Sequence, residues 1–590
     1  MRSRWFASCI ENVNNGRSRS LMLDAFTPGR LPQMSSAAAS QPHLHAQPVL
    51  SPAPDPRTLA KAHVVFAIIV LVVCLWVLTL PVFPSQDGPM HRYYAHALGA
   101  VFAHQPAFQA YVVRHPFPPY ATQYITLIGL FHLFSFDMAE KLLTCLEIVC
   151  FAYGFRACAV MVGPAGAWLS LLIAPLLLPW YLMMGFFNYS IGVGIALFAV
   201  ANWLRLDTRR SAIVFYAFWS VLLIFSHPVP VVLLLAFISA DLVRRSFFTG
   251  PQPGGWFRAN RVQLAALLLT LGLASYPALA IDKTKTASTL SDLGFHLPFV
   301  RTALLLTGLS PYNTRSHALL INIYRLCAYL LLALALYWGV RAFRLSLSRR
   351  QYSVGASFFV YAVLFVLALP FMPDRMNGGV FFATRMVIMV WIFSLLAAAA
   401  YQDVDRKFQQ VCIALGIVFT LATLLPAEQR FRPMARSVKT VEDQTVPSGI
   451  SALLLTGPAL TESIRAENDL AVDPLLWANI LPFVRENDLV LDAPWMELSV
   501  SPLRIAPDAH LLANASPLIE QRGAPHRLTE ILPAPDALDL IRRSNMIMYA
   551  GTRQELAGGL LGYLGPDDAA RFDCRYIQRW SLACFRRSGG

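Results

Sequence analysis

Charge is what this sequence has least of. Lys, Arg, Asp and Glu make up 14% of the 590 residues, while 56% are hydrophobic. A water-soluble globule carries roughly a quarter charged residues, so this chain has too little polar surface to dissolve, and its solvent is a bilayer. Several chemical signatures are missing as well. There is no Walker loop, no dinucleotide-type glycine fingerprint, no His-Glu-x-x-His and no Cys-x-x-Cys in a usable context, which leaves ATP-driven transport and a dedicated zinc site without support. Cysteine in polar surroundings is also scarce. Six of the nine (Cys74, Cys145, Cys150, Cys158, Cys327, Cys412) lie in apolar runs, where a thiol behaves as a small hydrophobe. Cys574 and Cys584 differ, because each sits in a short strand-like run that suits a hairpin. They are either a disulfide made in an oxidising compartment or two unlinked thiols.

The formal net charge is +14. Basic blocks such as Arg341, Arg344, Arg349 and Arg350 sit between apolar runs, where the positive-inside rule puts them, so the charge orients the chain. No zinc-ligand pattern or basic helix stands outside these flanks, which excludes a nucleic-acid partner.

Residues 1–58 are rich in Ser, Pro, Ala, Gln and Arg without apolar periodicity, the composition of a disordered cytoplasmic tail. Ala62 to Val82 is the first apolar run, and no small-residue cleavage pattern follows it, so it is an uncleaved helix. Further runs at 119–136, 140–162, 165–184, 188–205, 211–225, 228–241, 262–281, 319–340, 353–371, 380–400 and 408–426 make a polytopic membrane domain over 59–426. Taking the basic 341–350 loop as cytoplasmic turns the loops 83–118 and 282–318 outward. An inward N-terminus and outward C-terminus then require an odd number of crossings. About a dozen runs violate that parity, so either one run is re-entrant, 119–136 being the first suspect, or two runs form one helix. Arg430, Arg432, Arg436 and Lys439, after the last run, argue against an outward tail. From 445 to 590 the composition is that of a small soluble, periplasmic α/β domain, with strand-like stretches around residues 488–492 and 546–550.

The chemistry concentrates just outside the first helix, in Pro84-Ser-Gln-Asp-Gly-Pro-Met-His-Arg-Tyr-Tyr. Asp87, His91 and Tyr94 share one face of a helix at these spacings, and a carboxylate beside an imidazole suits a general base acting on a hydroxyl. Asp87 before Gly88-Pro89 also has the pattern of a helix N-cap, and the two roles are compatible. His115 and Tyr120 belong to a proline-stiffened entry into the next run. Asn188 lies at an outer turn suited to satisfying backbone groups. His227 at a helix break and Glu147 within an apolar run need polar partners in lipid, and each is read either as a functional group or as a helix-to-helix hydrogen bond. Arg375 and Arg385 stand at the outer ends of late helices, placed to grip a lipid phosphate or to snorkel to headgroups. Asp282, Lys283, Asp292 and His296 populate the second outer loop.

The layout resembles the GT-C superfamily of membrane glycosyltransferases, on Gln86-Asp87-Gly-Pro-Met-His91, Pro118-Pro119-Tyr120, Gly185-Phe-Phe-Asn188-Tyr, Ser226-His227-Pro228 and a soluble C-terminal portion. These motifs point to a poorly characterised bacterial branch. The resemblance implies an all-α polytopic membrane domain of 11–13 transmembrane helices with a small C-terminal α/β domain. It also implies multi-pass placement in the bacterial inner membrane and transfer of a sugar from a polyprenyl-phosphate-linked donor to a glycan, lipid or protein acceptor. Asp87 and His91 would be catalytic. Tyr94, His115, Tyr120, Asn188, His227, Arg375 and Arg385 would bind substrate. The family's frequent acidic pair is reduced to Asp87, and Asn188 stands where related enzymes place Asp. The expected metal is therefore none, or a weakly bound divalent cation. Two other classes fit the same sequence: a lipid or polar-solute transporter working through Glu147 and His227, and a non-catalytic scaffold for envelope assembly.

Overall fold

The structure, a computed structural model, describes residues 56–108, 111–113, 120–206, 211–248, 255–280, 309–313, 315–348, 353–372, 375–376, 379–380, 382–401, 404–446, 451–456, 460–486, 489–490, 503–505, 544–552 and 566–587. It is predominantly helical. In chain order the helices are α1 (Pro56–Thr79), α2 (Gly88–Phe102), α3 (Ala121–Phe131), α4 (Phe136–Val162), α5 (Phe187–Arg205), α6 (Ala212–Ser226) and α7 (Pro228–Phe248). They continue as α8 (Arg261–Ala280), α9 (Leu319–Ser348), α10 (Val354–Ala368), α11 (Phe382–Ala399), α12 (Arg406–Glu442), α13 (Leu460–Asn468) and α14 (Leu481–Glu486). Six helices, among the described residues, are long and apolar enough to cross a membrane alone, namely α1, α4, α5, α9, α10 extended to Phe371, and α12.

Side-chain contacts give the direction of each passage. α1 and α4 run antiparallel, since Cys74 meets Cys145 at one end and Phe66 meets Tyr153 further down. The chain returns through a buried, broken passage that includes a 3-10 stretch at Ser170–Leu176, interrupted by Pro175. Arg156 secures its start by donating to the Ala167 carbonyl and Ser170 Oγ at 2.8 and 2.7 Å. α5 then descends beside α4. A Cβ on Gly154 would come within 2.6 Å of the Gly194 carbonyl, the close backbone approach that small residues allow in membrane helices. α6 rises against α5 with Phe198 stacked on Trp219 and Trp203 beside Tyr216.

The 119–136 run forms α3, a short helix. Its 11 residues reach about 16 Å at 1.5 Å per residue, half of a ~30 Å hydrocarbon core. It starts beside Asn188 at the head of α5 and ends with Phe131 against Phe136 at the head of α4. By length α3 is too short to cross alone. The basic residues after the last apolar run lie on the long α12 and are paired. α12 has 37 residues, some 55 Å of helix, and its last turns extend past the crossing. There Arg430 pairs with Asp469 at 2.7 Å, Arg432 binds the Thr79 carbonyl at 3.0 Å, and Lys439 pairs with Asp137 at 2.7 Å.

Beyond α12 lies a five-stranded sheet in the order β5 (Leu489–Val490), β4 (Ser451–Thr456), β7 (Met546–Ala550), β9 (Ser581–Arg586), β8 (Phe572–Gln578). β5, β4 and β7 are parallel, and β9 and β8 form an antiparallel hairpin. The Cys574–Cys584 pair is a disulfide across that hairpin. β1 (Tyr111–Val113) pairs with β6 (Leu503–Ile505), tying the first outer loop to the C-terminal portion. The short strands β2 (Arg375–Met376) and β3 (Gly379–Val380) form a separate ribbon. The residues expected to form a disordered tail lie, up to residue 55, outside the described residues.

Candidate active site

Asp87 is fixed by backbone before its side chain acts. The Gln86 and Asp87 amides donate to the Met183 and Met184 carbonyls at 3.0 and 2.9 Å, which seats this segment on the turn before α5. That turn needs Gly185. Its φ is +87°, and a Cβ there would lie 2.8 Å from the Gly88 nitrogen. α2 then starts with proline in its first turn. Asp87 occupies the N-cap position, but its carboxylate makes no capping hydrogen bond. Instead, Trp477 Nε1 donates to Asp87 Oδ1 at 3.2 Å, with both residues 5% exposed.

One turn on, His91 Nδ1 is 2.7 Å from Gln123 Nε2 and 3.2 Å from Tyr124 Oη, and its ring also bonds the Gly185 backbone. Burial pushes the imidazole pKa down to about 4, with the Gly185 bond opposing it. His91 is therefore neutral at physiological pH, accepting at Nδ1 and donating from Nε2 to the Gly185 carbonyl. Asn188 is consumed by structure, as its turn position suggests. Its side chain accepts from the Gln123 amide at 3.1 Å and donates to the Tyr120 carbonyl at 2.9 Å, and its own amide donates to Gln123 Oε1 at 3.1 Å. This clasp locks α3 to α5. It also holds Tyr120 in the left-handed region at φ +70°, with its ring edge-on to His227 at 5.0 Å.

Arg385 and His227 form the cationic side of the site. Arg385 Nη1 lies 3.3 Å from His227 Nε2, and the guanidinium stacks on Phe186 at 3.9 Å. Tyr189 Oη donates to the Arg385 carbonyl at 2.5 Å. Among the described residues no carboxylate is ion-paired with Arg385, and its buried Nε has no hydrogen-bond partner. Burial, then the Arg385 charge, hold the His227 pKa well below its ordinary value. The Val229 amide donates to His227 Nδ1 at 3.1 Å, and the Arg385 guanidinium, which can only donate, faces Nε2 of the same ring. A buried cation with an unused donor therefore stands beside the imidazole. That is an arrangement for an oxyanion. Asp87 is close enough to act electrostatically on both Arg385 and Tyr124.

The remaining expected residues separate. Tyr94 is buried with its ring 6.3 Å from that of Tyr93. His115, the Arg375 side chain, and Asp282, Lys283, Asp292 and His296 lie outside the described residues. Glu147 lies in the interior. Neither of its oxygens has a hydrogen-bond partner, and it shares a small cavity with Tyr181 and Ser190. Sequence reading missed Trp477, Gln123 and Tyr189, and it missed Arg92. Arg92, 1% exposed, joins Asp137 at 2.9 Å and Glu140 at 3.3 Å and also bonds Glu442, binding α2 to α4 and α12. Burial opposes its charge, but Glu442, Glu140 and Asp137 together hold its pKa above the usual arginine value. Among the described residues no three His, Cys, Asp or Glu side chains are arranged to hold a metal ion.

No protein-family model matches this chain. No curated protein matches it either. Solved structures do. ArnT from Cupriavidus metallidurans bound to undecaprenyl phosphate superposes with a TM-score of 0.50 and 10% identity, covering 90% of this chain and 99% of that one. Its apo state gives 0.49 and 11%, over 89% and 98%. The archaeal oligosaccharyltransferase AglB from Archaeoglobus fulgidus, in complex with an inhibitory peptide and a dolichol-phosphate, gives 0.41 and 10%, over 88% and 73%. The chain has the fold of ArnT, the GT-C fold, carried through the membrane helices and the C-terminal sheet.

Proposed function

We propose that this GT-C-fold chain is an inverting membrane glycosyltransferase. It would move a sugar from a polyprenyl-phosphate-linked donor to a glycan, lipid or protein acceptor at the outer face of the bacterial inner membrane. One observation carries the reading: a buried carboxylate, Asp87, lies within electrostatic reach of Arg385, a cation beside His227 with no ion-paired carboxylate among the described residues. In the reaction, Asp87 takes the proton of the acceptor hydroxyl as its oxygen attacks the anomeric carbon. The bond from that carbon to the donor phosphate oxygen breaks, and the electron pair leaves on the lipid phosphate. Arg385, held beside His227, receives the charge that develops there. His91, neutral and tied to Gln123, Tyr124 and Gly185, keeps the first turn of α2 against α3 so that Asp87 is aimed consistently. Arg375, at the same outer end, is the second candidate for the phosphate.

Sidedness has independent support. Arg205, Arg244, Arg245, Arg258, Arg341, Arg344, Arg406 and Lys407 cluster at the ends of helices away from Asp87, as expected for the cytoplasmic side. The hairpin disulfide belongs to the Asp87 side, where an oxidising compartment would form it.

The reading is tested with the purified chain in lipid nanodiscs. Polyprenyl-phosphate-linked sugars extracted from the source membranes should give transfer of labelled sugar. Undecaprenyl phosphate should bind wild type at least tenfold more tightly than Arg385→Gln. Absence of transfer together with equal binding would refute it.

A further inference from the structure

We infer that the C-terminal portion completes the catalytic site, with Trp477 as the positioning residue that holds the Asp87 carboxylate. The inference rests on the glycosyl-transfer reading only for the meaning of Asp87. Its geometry stands apart from that reading.

Three segments remote in sequence converge here. Trp477 Nε1 donates to Asp87 Oδ1 at 3.2 Å. The preceding residue of the motif is held by the same segment, because the Asp473 amide donates to Gln86 Oε1 at 3.0 Å and Arg465 reaches that oxygen at 3.4 Å. Asp473 in turn accepts from the Leu475 amide at 3.0 Å, closing the turn that delivers Trp477. This segment is itself anchored. The Ala471 amide donates to the Pro311 carbonyl and the Asn313 amide to the Asp469 carbonyl, at 2.9 and 2.8 Å, and Arg430 of α12 pairs with Asp469 at 2.7 Å. Gln86, Asp87, Asp473 and Trp477 are all buried.

An indole is a donor only, so it orients a carboxylate and stabilises its charged form without competing for the proton that a base must take. Asp87 has lost the capping bonds that would otherwise fix it, and the Trp477 bond supplies a direction. Arg385 of α11 and Tyr124 of α3 act on the carboxylate, His91 lies one turn along α2, Arg465 and Asp473 approach through Gln86, and Glu140 of α4 approaches through Ser85. These groups are common to wild type and variant, so a difference between their pH profiles isolates the Trp477 bond.

The test uses the full chain with [15N]tryptophan in detergent micelles, the Trp477 indole resonance being assigned by its loss in Trp477→Phe. The indole shift is expected to move through one pH transition that disappears in Asp87→Asn. With the extracted polyprenyl-phosphate sugars as donor, Trp477→Phe should lower kcat about tenfold with KM little changed. It should also move the acidic limb of the rate profile up by about one pH unit. An indole indifferent to Asp87→Asn overturns the proposal, and so does a folded Trp477→Phe with the wild-type profile. The indole measurement compares wild type with Asp87→Asn, so it remains decisive if Trp477→Phe fails to fold. An indole that follows Asp87 in a chain that transfers no sugar supports the clasp and counts against the transfer reading alone.

Discussion

Replacing Arg92 by Met gives the sharpest test of how the site is held. Arg92 is 1% exposed and is the shared partner of three carboxylates, Asp137, Glu140 and Glu442. Through them it ties α2, which begins at Asp87, to α4 and α12. The substitution keeps most of the apolar stem and removes the cation. It leaves Glu140, 1% exposed, without its arginine, while Lys439 still serves Asp137 and Glu442 at 2.7 and 3.2 Å. Removing one member of a buried ionic cluster costs about 3–5 kcal/mol, because the stranded charge stays desolvated. Steric-trap unfolding in bicelles should show a loss of that size. Adding Glu140→Gln and Glu442→Gln to Arg92→Met should recover more than half of it, since the partners act as a unit. An Arg92→Met variant within about 0.5 kcal/mol of wild type, the size of an ordinary surface substitution, would refute the reasoning.

Two further outcomes follow from the same physics. The His91 pKa is pushed down to about 4 from an ordinary 6.5, so the unfolded chain takes up a proton that the folded chain refuses. Its stabilising contribution is complete above pH 6.5 and is lost as pH falls towards 4, by roughly 3 kcal/mol. Unfolding of His91→Asn followed across that window should show a flatter acid limb than wild type, and parallel limbs would contradict the assignment of a neutral buried imidazole. Glu147 contributes two buried oxygens without hydrogen-bond partners. Glu147→Leu should therefore raise stability by about 1–3 kcal/mol in the same bicelle assay, and a loss of stability would show that the carboxyl is satisfied in the native protein.

Much of the fold was legible because lipid imposes simple rules. Long apolar runs separated by basic loops must be helices, and charge parity made 119–136 the first suspect for a re-entrant segment. The structure makes that run the short α3, bonded to Asn188. The basic end of α12 shows what the positive-inside rule leaves out, since it counts charges and does not see partners. Arg430, Arg432 and Lys439 are each matched by an acid or a carbonyl that folding brings to them. In the site, Asp87, His227 and Arg385 stood out as polar groups beside lipid, and the fold brings them together. Trp477 carried no signal. It is 390 residues from Asp87 and sits in an apolar stretch where an indole reads as core. Arg92 was hidden by a neighbouring motif, since nothing local distinguishes a cation that will bind three carboxylates from one that faces water.

The central claim is that Asp87 acts as the base in sugar transfer from a lipid phosphate, and Asp87→Asn in nanodiscs tests it most directly. The variant keeps the size of the side chain and an oxygen for the Trp477 bond, and it removes the ability to take a proton. The account predicts transfer from the extracted polyprenyl-phosphate sugars slowed at least about a hundredfold, with undecaprenyl phosphate binding within threefold of wild type. Full transfer by Asp87→Asn would contradict it.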